Sequence, residues 1–230
     1  MRKLVLFDID GTLLSTNGAA GRAFADALIE VFGTTGPLGN TSFAGKTDPQ
    51  IAYELLAGAG LTREQVAPRL GDLWRGYVTR LDTALREVEV EVYPGVVDLL
   101  DLVERRAEEA VMGLLTGNIV EGARRKLDAS GIGFNRFRVG VFGSDDEDRN
   151  ALPAIAARRA RDLVGTDYRG ADVVIVGDTP ADISCGRAFG ARTVAVATGA
   201  YHRDDLQACA PDHLFDTLED AAAVWGAIVA

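Results

Sequence analysis

The chain has 230 residues, of which 47% are hydrophobic, and its 34 acidic and 24 basic side chains give a formal net charge of −10. This length and composition predict a globular chain with a sizeable core. The acidic balance argues against a nucleic-acid-binding protein, because such proteins need a basic surface to displace counterions from phosphates. The apolar runs are too short for a membrane span, and the first one stops at Asp8, too early for a secretory signal.

The first predicted element is an apolar strand over residues 4–9, which is followed by Asp10, Gly11 and Thr12. A turn would explain Asp10, because aspartate bonds its own backbone in turns and glycine supplies a permissive φ. That explanation leaves Asp8 without a role. Residues two apart on a strand project to the same side, so Asp8 and Asp10 are expected to face one site.

The next stretch has helical patterning and no convincing strand of a core sheet. Helices are predicted over residues 19–32, 49–59 and 63–85. A connection this long is not a simple loop in a compact domain, so we predict a separate helical unit, or cap, inserted after the first strand. The predicted boundaries are a helical cap over residues 16–90, linkers near 14–18 and 87–95, and an α/β core over 1–15 and 91–230.

After the cap, strand-like and helix-like runs alternate. Strands are predicted over 110–115, 139–142, 172–176 and 192–197, and helices over 119–129, 152–164 and the C-terminal segment 221–230. This alternation is typical of a parallel sheet covered on both faces. The predicted fold is therefore α/β, with a Rossmann-like parallel sheet core, helices on both faces and the inserted cap. Ligands of such sheets bind at the carboxyl ends of the strands.

Polar residues that suit a phosphate group follow the second predicted strand of the core. They are Thr116, Gly117 and Asn118. A hydroxyl together with the first free amides of a helix can bind phosphate oxygens. Taken alone, Thr116 is better explained by simple N-capping of the next helix, since Thr and Asn are common caps.

Two more aspartates, Asp178 and Asp182, follow the strand over residues 172–176. Helix capping and the helix dipole can account for each of them alone. Helix capping does not explain why acids should follow more than one strand, however. Here two strands are each followed by a pair of aspartates at the same edge of the predicted sheet. Unit charges about 4 Å apart repel by roughly 4 kcal/mol at an effective dielectric of ~20, so a cation is expected among the four. Mg²⁺ fits oxygen ligands of this kind.

One basic residue, Arg149, stands among acidic neighbours between the third and fourth core strands. It can be a surface charge paired with Asp146 or Asp148. It can instead reach the same sheet edge and bind phosphate. Taken alone, the segment favours the surface charge, whereas a position at the sheet edge favours the phosphate contact.

Taken in order, these segments resemble the haloacid dehalogenase-like superfamily, specifically its phosphoglycolate-phosphatase-like branch with a helical cap. The resemblance covers nearly the whole chain. It rests on DIDGT at 8–12, GKTDPQI at 45–51, LLTGN at 114–118 and GDTPAD at 177–182. The family usually has Lys in its third motif, and the counterpart here is Arg149, which keeps the charge with a different geometry.

The resemblance implies a Mg²⁺-dependent phosphatase that hydrolyses a small phosphate monoester through an aspartyl-phosphate intermediate. Asp8 is then the nucleophile and Asp10 the general acid and base. The implied phosphate-binding residues are Thr116, Gly117, Asn118 and Arg149, and the implied metal residues are Asp8, Asp10 through its main-chain carbonyl, Asp178 and Asp182, the last orienting the metal shell.

The cap is expected to select the substrate, because it closes over the part of the molecule that does not react. Lys46 is the first candidate for this role and Thr47 the second, although an exposed lysine ahead of a helix explains Lys46 equally well.

The expected partner is a small phosphate ester, and neither a nucleic acid nor a membrane is an expected partner. Two cysteines without a CxxC pair suit a cytoplasmic protein. The sequence decides neither the metabolite nor the oligomeric state.

Four other functions are alternatives to the phosphatase. A phosphomutase uses nearly the same residues and differs by keeping water from the intermediate. A 2-haloacid dehalogenase typically lacks the second acid of the first motif, so Asp10 argues against it. A signalling receiver domain would carry its phosphorylated Asp after the third strand and would not need a cap. Intact Asp8, Asp10, Thr116 and Asp178 argue against a catalytically silent binding protein.

Overall fold

The computed structural model describes residues 2–230. Its strands are β1 (Lys3–Phe7), β2 (Leu14–Ser15), β3 (Glu91–Val92), β4 (Ala110–Leu115), β5 (Val139–Val141), β6 (Val173–Gly177), β7 (Arg192–Val196) and β8 (His213–Phe215). Its α-helices are α1 (Ala19–Phe32), α2 (Asp48–Gly58), α3 (Arg63–Val66), α4 (Leu70–Ala84), α5 (Val96–Arg105), α6 (Val120–Ala129), α7 (Leu152–Val164), α8 (Pro180–Phe189), α9 (Arg203–Ala208) and α10 (Ala221–Val229). Short 3-10 turns cover Leu38–Asn40, Ala67–Arg69, Phe134–Arg136, Arg149–Ala151 and Gly170–Asp172.

Six of the strands described over residues 2–230 form one parallel sheet in the order β5-β4-β1-β6-β7-β8. This architecture confirms the predicted α/β fold. The central strand β1 is buried on both faces, as a parallel sheet requires. Its Val5 and Phe7 join the hydrophobic cluster formed with α5, α6 and α10, whereas Leu4 and Leu6 join the cluster formed with α7 and α8. Within the same residues no helix is both long and apolar enough to cross a membrane.

The helices between β2 and β3 have a hydrophobic cluster of their own. Phe24 of α1 lies at its centre, with its ring 5.4 Å from that of Tyr77 in an edge-to-face arrangement. The predicted helix over 63–85 is interrupted by the 3-10 turn at Ala67–Arg69, because Pro68 lacks the backbone N–H that a helix interior needs. The division of the chain into a cap and a core at residues 16 and 90 stays a prediction.

The two predicted linkers meet each other. Strand β2 pairs antiparallel with β3, Leu14 opposite Val92 and Ser15 opposite Glu91. The two chain segments that connect the sheet with the helical segment therefore lie side by side. Strand β8 was not predicted, because its three residues are short and only partly buried, which leaves a weak apolar signal.

Candidate active site

Three loops come together because the strands before them are neighbours. Strand β1 lies between β4 and β6, with Phe7 opposite Leu114 on one side and Val176 on the other. The backbone N–H of Asp8 donates to the carbonyl of Val176 over 2.9 Å, which continues the ladder past the end of β1. Asp8, Thr116 and Asp178 therefore follow three adjacent strands at one edge of the sheet, as the sequence predicted.

Three buried carboxylates form a cluster at this edge. Asp8, Asp178 and Asp182 each offer an oxygen, and these oxygens lie within 4.8 Å of one another. Burial raises the pKa of Asp8 to about 6, although the charge of Arg149 opposes the shift. Burial also holds the pKa of Asp178 well above its usual range, and Asp8 and Asp182 add to the shift. The positive charge near the cluster is therefore too small to hold the pKa values of these carboxyls in their ordinary range.

Part of that positive charge comes from Arg149. Its guanidinium is buried, and Nη2 lies 2.5 Å from Asp182 Oδ1 and 3.3 Å from Asp8 Oδ2. The interpretation of Arg149 as a surface charge is therefore wrong. Its backbone lies in the 3-10 turn that opens α7, which aims the side chain at the sheet edge. Asp182 uses its other oxygen to accept from the N–H and hydroxyl of Thr179 at the start of α8.

The donor set of the cluster fits a hard divalent cation. All three side chains offer carboxylate oxygens, which Mg²⁺ prefers. The surroundings of Asp178 are shaped by two glycines: a Cβ at Gly11 would come within 2.3 Å of its carboxylate, and one at Gly199 within 1.7 Å. Thr12 donates its hydroxyl to Asp178 over 2.8 Å. The chain thus leaves space around this carboxylate and fixes its orientation.

The carboxylate of Asp10 lies in different surroundings, which corrects the expectation that four carboxylates converge. Lys126 Nζ donates to both of its oxygens, at 2.8 and 2.7 Å, and Asn118 Nδ2 donates to one of them at 2.7 Å. Strand geometry ends at Phe7, and Gly11 has a φ of +87°, so the chain turns just after Asp10. The carbonyl of Asp10 as a metal ligand stays a prediction.

The segment after β4 packs closely against the segment that precedes α2. Thr116 is buried and accepts from Asn118, both from the backbone N–H and, at 2.8 Å, from the side-chain amide. It does not cap α6, whose N-cap position is Ile119. A Cβ at Gly117 would meet the Lys46 carbonyl at 2.0 Å, so only glycine fits at this contact.

A cavity of about 360 Å³ opens above these groups. Its wall includes the predicted residues Asp8, Asp10, Lys46, Thr116, Gly117, Asn118, Arg149 and Asp178, and apolar side chains of the helical segment such as Phe24, Phe43, Ile51 and Tyr77. The ammonium of Lys46 pairs with Glu54. Cavities of this size are typical of small-molecule sites.

Thr47 and Asp182 do not line the cavity. Thr47 is fully buried; its hydroxyl donates to the carbonyl of Glu147 over 2.8 Å and accepts from Gln50 N at the start of α2. The expectation that Thr47 touches the substrate is therefore corrected to a contact between the helical segment and the loop after β5. Asp182 lies behind Asp8, where Arg149 and Thr179 hold it.

Two residues that sequence reasoning missed complete the site. Lys126 is 4% exposed and reaches Asp10 from α6. Asp48 accepts from the N–H of Ile119 over 2.8 Å, and burial raises its pKa to about 6. The signal for Lys126 was its position three residues after the buried Ala123, which places it on the inner face of the helix.

Comparisons with known proteins agree with this geometry. A family model described as HAD-hydrolase-like matches residues 150–221. A phosphoglycolate phosphatase from Synechococcus elongatus is 29% identical over 217 residues, which cover 94% of this chain and 93% of that protein. Phosphoglycolate phosphatase 1 from Pseudomonas aeruginosa is 27% identical over 225 residues, covering 95% and 78%.

Solved structures share the fold. A hydrolase from Pseudomonas syringae superimposes with a TM-score of 0.74 at 19% identity, and the match covers 100% of both chains. A structure titled as a putative beta-phosphoglucomutase from Bacteroides vulgatus gives a TM-score of 0.69 at 18% identity, covering 99% of this chain and 88% of that one. Together, the family model and the phosphatase relatives support a hydrolase of the haloacid dehalogenase-like superfamily that acts on phosphate esters.

Proposed function

We propose that the protein is a Mg²⁺-dependent phosphatase that hydrolyses a small soluble phosphate monoester through an aspartyl-phosphate on Asp8. The observation that carries this proposal is the separation of two carboxylates in one cavity. Asp8 lies in the buried acid cluster, whereas Asp10 is paired with Lys126 and Asn118. Different surroundings suit two carboxylates to different tasks, one as nucleophile and one as proton carrier.

In the first step a carboxylate oxygen of Asp8 attacks phosphorus, and the bond from phosphorus to the ester oxygen breaks. Asp10 gives its proton to that oxygen, so the leaving group departs as an alcohol. In the second step Asp10 takes a proton from water as the water attacks phosphorus. The bond between Asp8 and phosphorus then breaks, which releases inorganic phosphate and returns Asp8 to its carboxylate form and Asp10 to its protonated form.

Phosphoryl oxygens would be bound by Thr116, by the amides near Gly117 and Asn118, and by Arg149. All four line the cavity. Nε of Arg149 is buried and has no hydrogen-bond partner among the residues that the structure describes. A phosphate oxygen would satisfy such a donor, and a guanidinium suits phosphate geometry.

The metal would be held by Asp8, the carbonyl of Asp10 and Asp178, with Asp182 acting from behind through its contacts with Arg149 and Thr179. When bound, Mg²⁺ supplies positive charge that lets an anionic carboxylate approach an anionic phosphate. Two of the three clustered carboxyls have raised pKa values, which supports the need for such charge.

The substrate would be selected by the helical segment. Lys46 lies on the cavity wall and is the candidate for contact with the part of the substrate that leaves. Two of the relatives are named phosphoglycolate phosphatases, which makes small phosphorylated acids the first compounds to test. The absence of a membrane or nucleic-acid partner and a cytoplasmic location remain parts of this proposal.

The test is a panel of phosphate monoesters assayed for inorganic phosphate with Mg²⁺ and with the metal removed by chelation. We expect release that depends on Mg²⁺, and a phosphoryl adduct on Asp8 in acid-quenched samples analysed by mass spectrometry. Asp8→Asn should abolish both, whereas Asp162→Asn, an exposed change on α7, should retain both. Activity in Asp8→Asn would refute covalent catalysis by Asp8, and an isomerised phosphate ester without phosphate release would indicate a mutase.

A further inference from the structure

A second buried cation, Lys126, lines the same cavity as Arg149. Lys126 projects from α6, and its side chain is 4% exposed. Its three donor positions meet three acceptors, Asp10 Oδ1 at 2.8 Å, Asp10 Oδ2 at 2.7 Å and Asn118 Oδ1 at 2.5 Å. An ammonium has three hydrogens, so this set uses all of them.

The same contacts form a closed network. The amide of Asn118, whose oxygen accepts from Lys126, donates to Asp10 Oδ2 at 2.7 Å and to Thr116 Oγ1 at 2.8 Å. The Asp10 side chain itself is 40% exposed on the cavity side. Lys126 and Asn118 thus hold the carboxylate of Asp10, while part of the side chain stays exposed to a substrate in the cavity.

Stability alone gives little reason to bury a lysine here. Removing an ammonium from water costs several kcal/mol, and buried ion pairs are seldom more stable than apolar residues of similar volume. The neighbours Ala123 and Leu127 on the same face of α6 are apolar and belong to a hydrophobic cluster. A methionine or leucine at position 126 would suit the helix as well.

The chemistry gives a better reason. A proton carrier must keep its carboxylate within hydrogen-bond reach of the leaving oxygen, and a carboxylate that rotates freely loses that alignment. We propose that Lys126 is a positioning residue that fixes the carboxylate of Asp10, directly and through Asn118, for both proton transfers. This inference rests on the proposed function. Each carboxylate of the first motif then has its own buried cation, Arg149 for Asp8 and Lys126 for Asp10.

The test uses two esters that differ in their need for an acid. An alkyl phosphate must have its leaving oxygen protonated, whereas p-nitrophenolate leaves readily without a proton. For Lys126→Met we expect kcat/KM to fall by about 10²–10³-fold for the alkyl ester, the range of general acid catalysis, and by less than about threefold for p-nitrophenyl phosphate. Water attack still needs Asp10, so kcat for p-nitrophenyl phosphate should fall and a burst of nitrophenol should appear.

Two comparisons separate positioning from a general loss of structure. Arg124→Met removes a cation from the same helix, where it stacks on Phe134, and should leave both esters unaffected. Lys126→Met added to Asp10→Asn should cost no further activity, because both changes remove one function. If the methionine variant does not fold, Lys126→Gln replaces it in the same assays.

Equal losses of kcat/KM on both esters, or additive losses with Asp10→Asn, would overturn the role of Lys126. Failure of the proposed function has another signature, since the wild-type protein would then release phosphate from neither ester. The two failures are therefore distinguishable in one set of assays.

Discussion

Arg149 Nη2 donates to Asp182 Oδ1 over 2.5 Å inside the protein, where the two side chains are 6% and 3% exposed. The same guanidinium nitrogen lies 3.3 Å from Asp8. One buried arginine therefore ties the loop after β5 to the loop after β6 and to the end of β1. Asp178 adds a third carboxylate to this cluster, and within residues 2–230 Arg149 is the only basic residue that forms an ion pair with it.

Replacing that cation should be costly. We predict that Arg149→Met lowers the free energy of unfolding by about 3–5 kcal/mol near neutral pH, because it leaves buried carboxylates without their partner. Arg149→Lys should lose less, since it keeps the charge but not the forked geometry. The measurement is urea unfolding followed by circular dichroism.

A matched control is available in α7. Arg159 is 43% exposed and pairs with Asp145 over 2.6 Å. Arg159→Met should cost less than about 1 kcal/mol, as exposed ion pairs usually do. If Arg149→Met proved no more damaging than Arg159→Met, the account of the acid cluster given above would be incorrect.

The sheet edge was predictable from the sequence because strong local signals mark it. Buried parallel strands are continuous apolar runs, and residues 110–115 coincide with β4 as observed. The helices predicted over 19–32 and 152–164 likewise match α1 and α7. Once strands alternate with helices, the carboxyl ends must share an edge, so the meeting of Asp8, Thr116 and Asp178 follows from topology alone.

Pairing between side chains was not predictable in the same way. Arg149 has acidic neighbours in the sequence, yet its partners Asp8 and Asp182 are distant in the chain. Lys126 follows two arginines in α6, and such a basic run is typical of a solvated helix face. Which basic residue turns inward depends on how the helix is rotated against the sheet, and packing of the whole domain decides that rotation.

The space around Asp178 leads to a second prediction. Gly199→Ala should abolish Mg²⁺-dependent activity, because the new Cβ would lie 1.7 Å from a carboxylate oxygen of Asp178 and displace it. Metal binding can be followed separately by isothermal titration calorimetry with Mg²⁺, and it should weaken in parallel.

The control for this variant is Gly226→Ala in α10, where a Cβ would meet no atom within 4 Å. An alanine in a helix is more stable than a glycine by about 0.5–1 kcal/mol, so this variant should melt slightly higher and keep full activity. Unchanged Mg²⁺ affinity in Gly199→Ala would contradict the role given to Asp178.

A third prediction concerns pH. The pKa of Asp48 is about 6 in the folded protein, against an ordinary value of 3.8. The folded state therefore binds a proton more readily than the unfolded state between these values. It follows that Asp48 contributes stability that is fully present below about pH 4 and is lost as the pH rises through 6.

Asp48→Asn removes the part of the pH dependence of stability that comes from this carboxyl. Relative to the wild-type protein, the variant should gain about 1–3 kcal/mol in free energy of unfolding between pH 4 and pH 7, because one pKa unit is worth about 1.4 kcal/mol. Urea unfolding at several pH values measures the difference between the variant and the wild-type protein. A constant difference across the range would show that Asp48 does not titrate as described.

The last prediction separates two neighbours in the helical segment. Lys46 lines the cavity, whereas Thr47 is buried and holds the segment to the carbonyl of Glu147. Lys46→Ala should therefore lower kcat/KM for the preferred substrate more than for p-nitrophenyl phosphate, and Glu54→Gln, which frees the ammonium, should not. Thr47→Val should instead affect both esters alike and cost about 1 kcal/mol of stability, as the loss of a helix cap does. Parallel losses in Lys46→Ala would remove this lysine from substrate selection, and a substrate-dependent loss in Thr47→Val would return that role to the threonine.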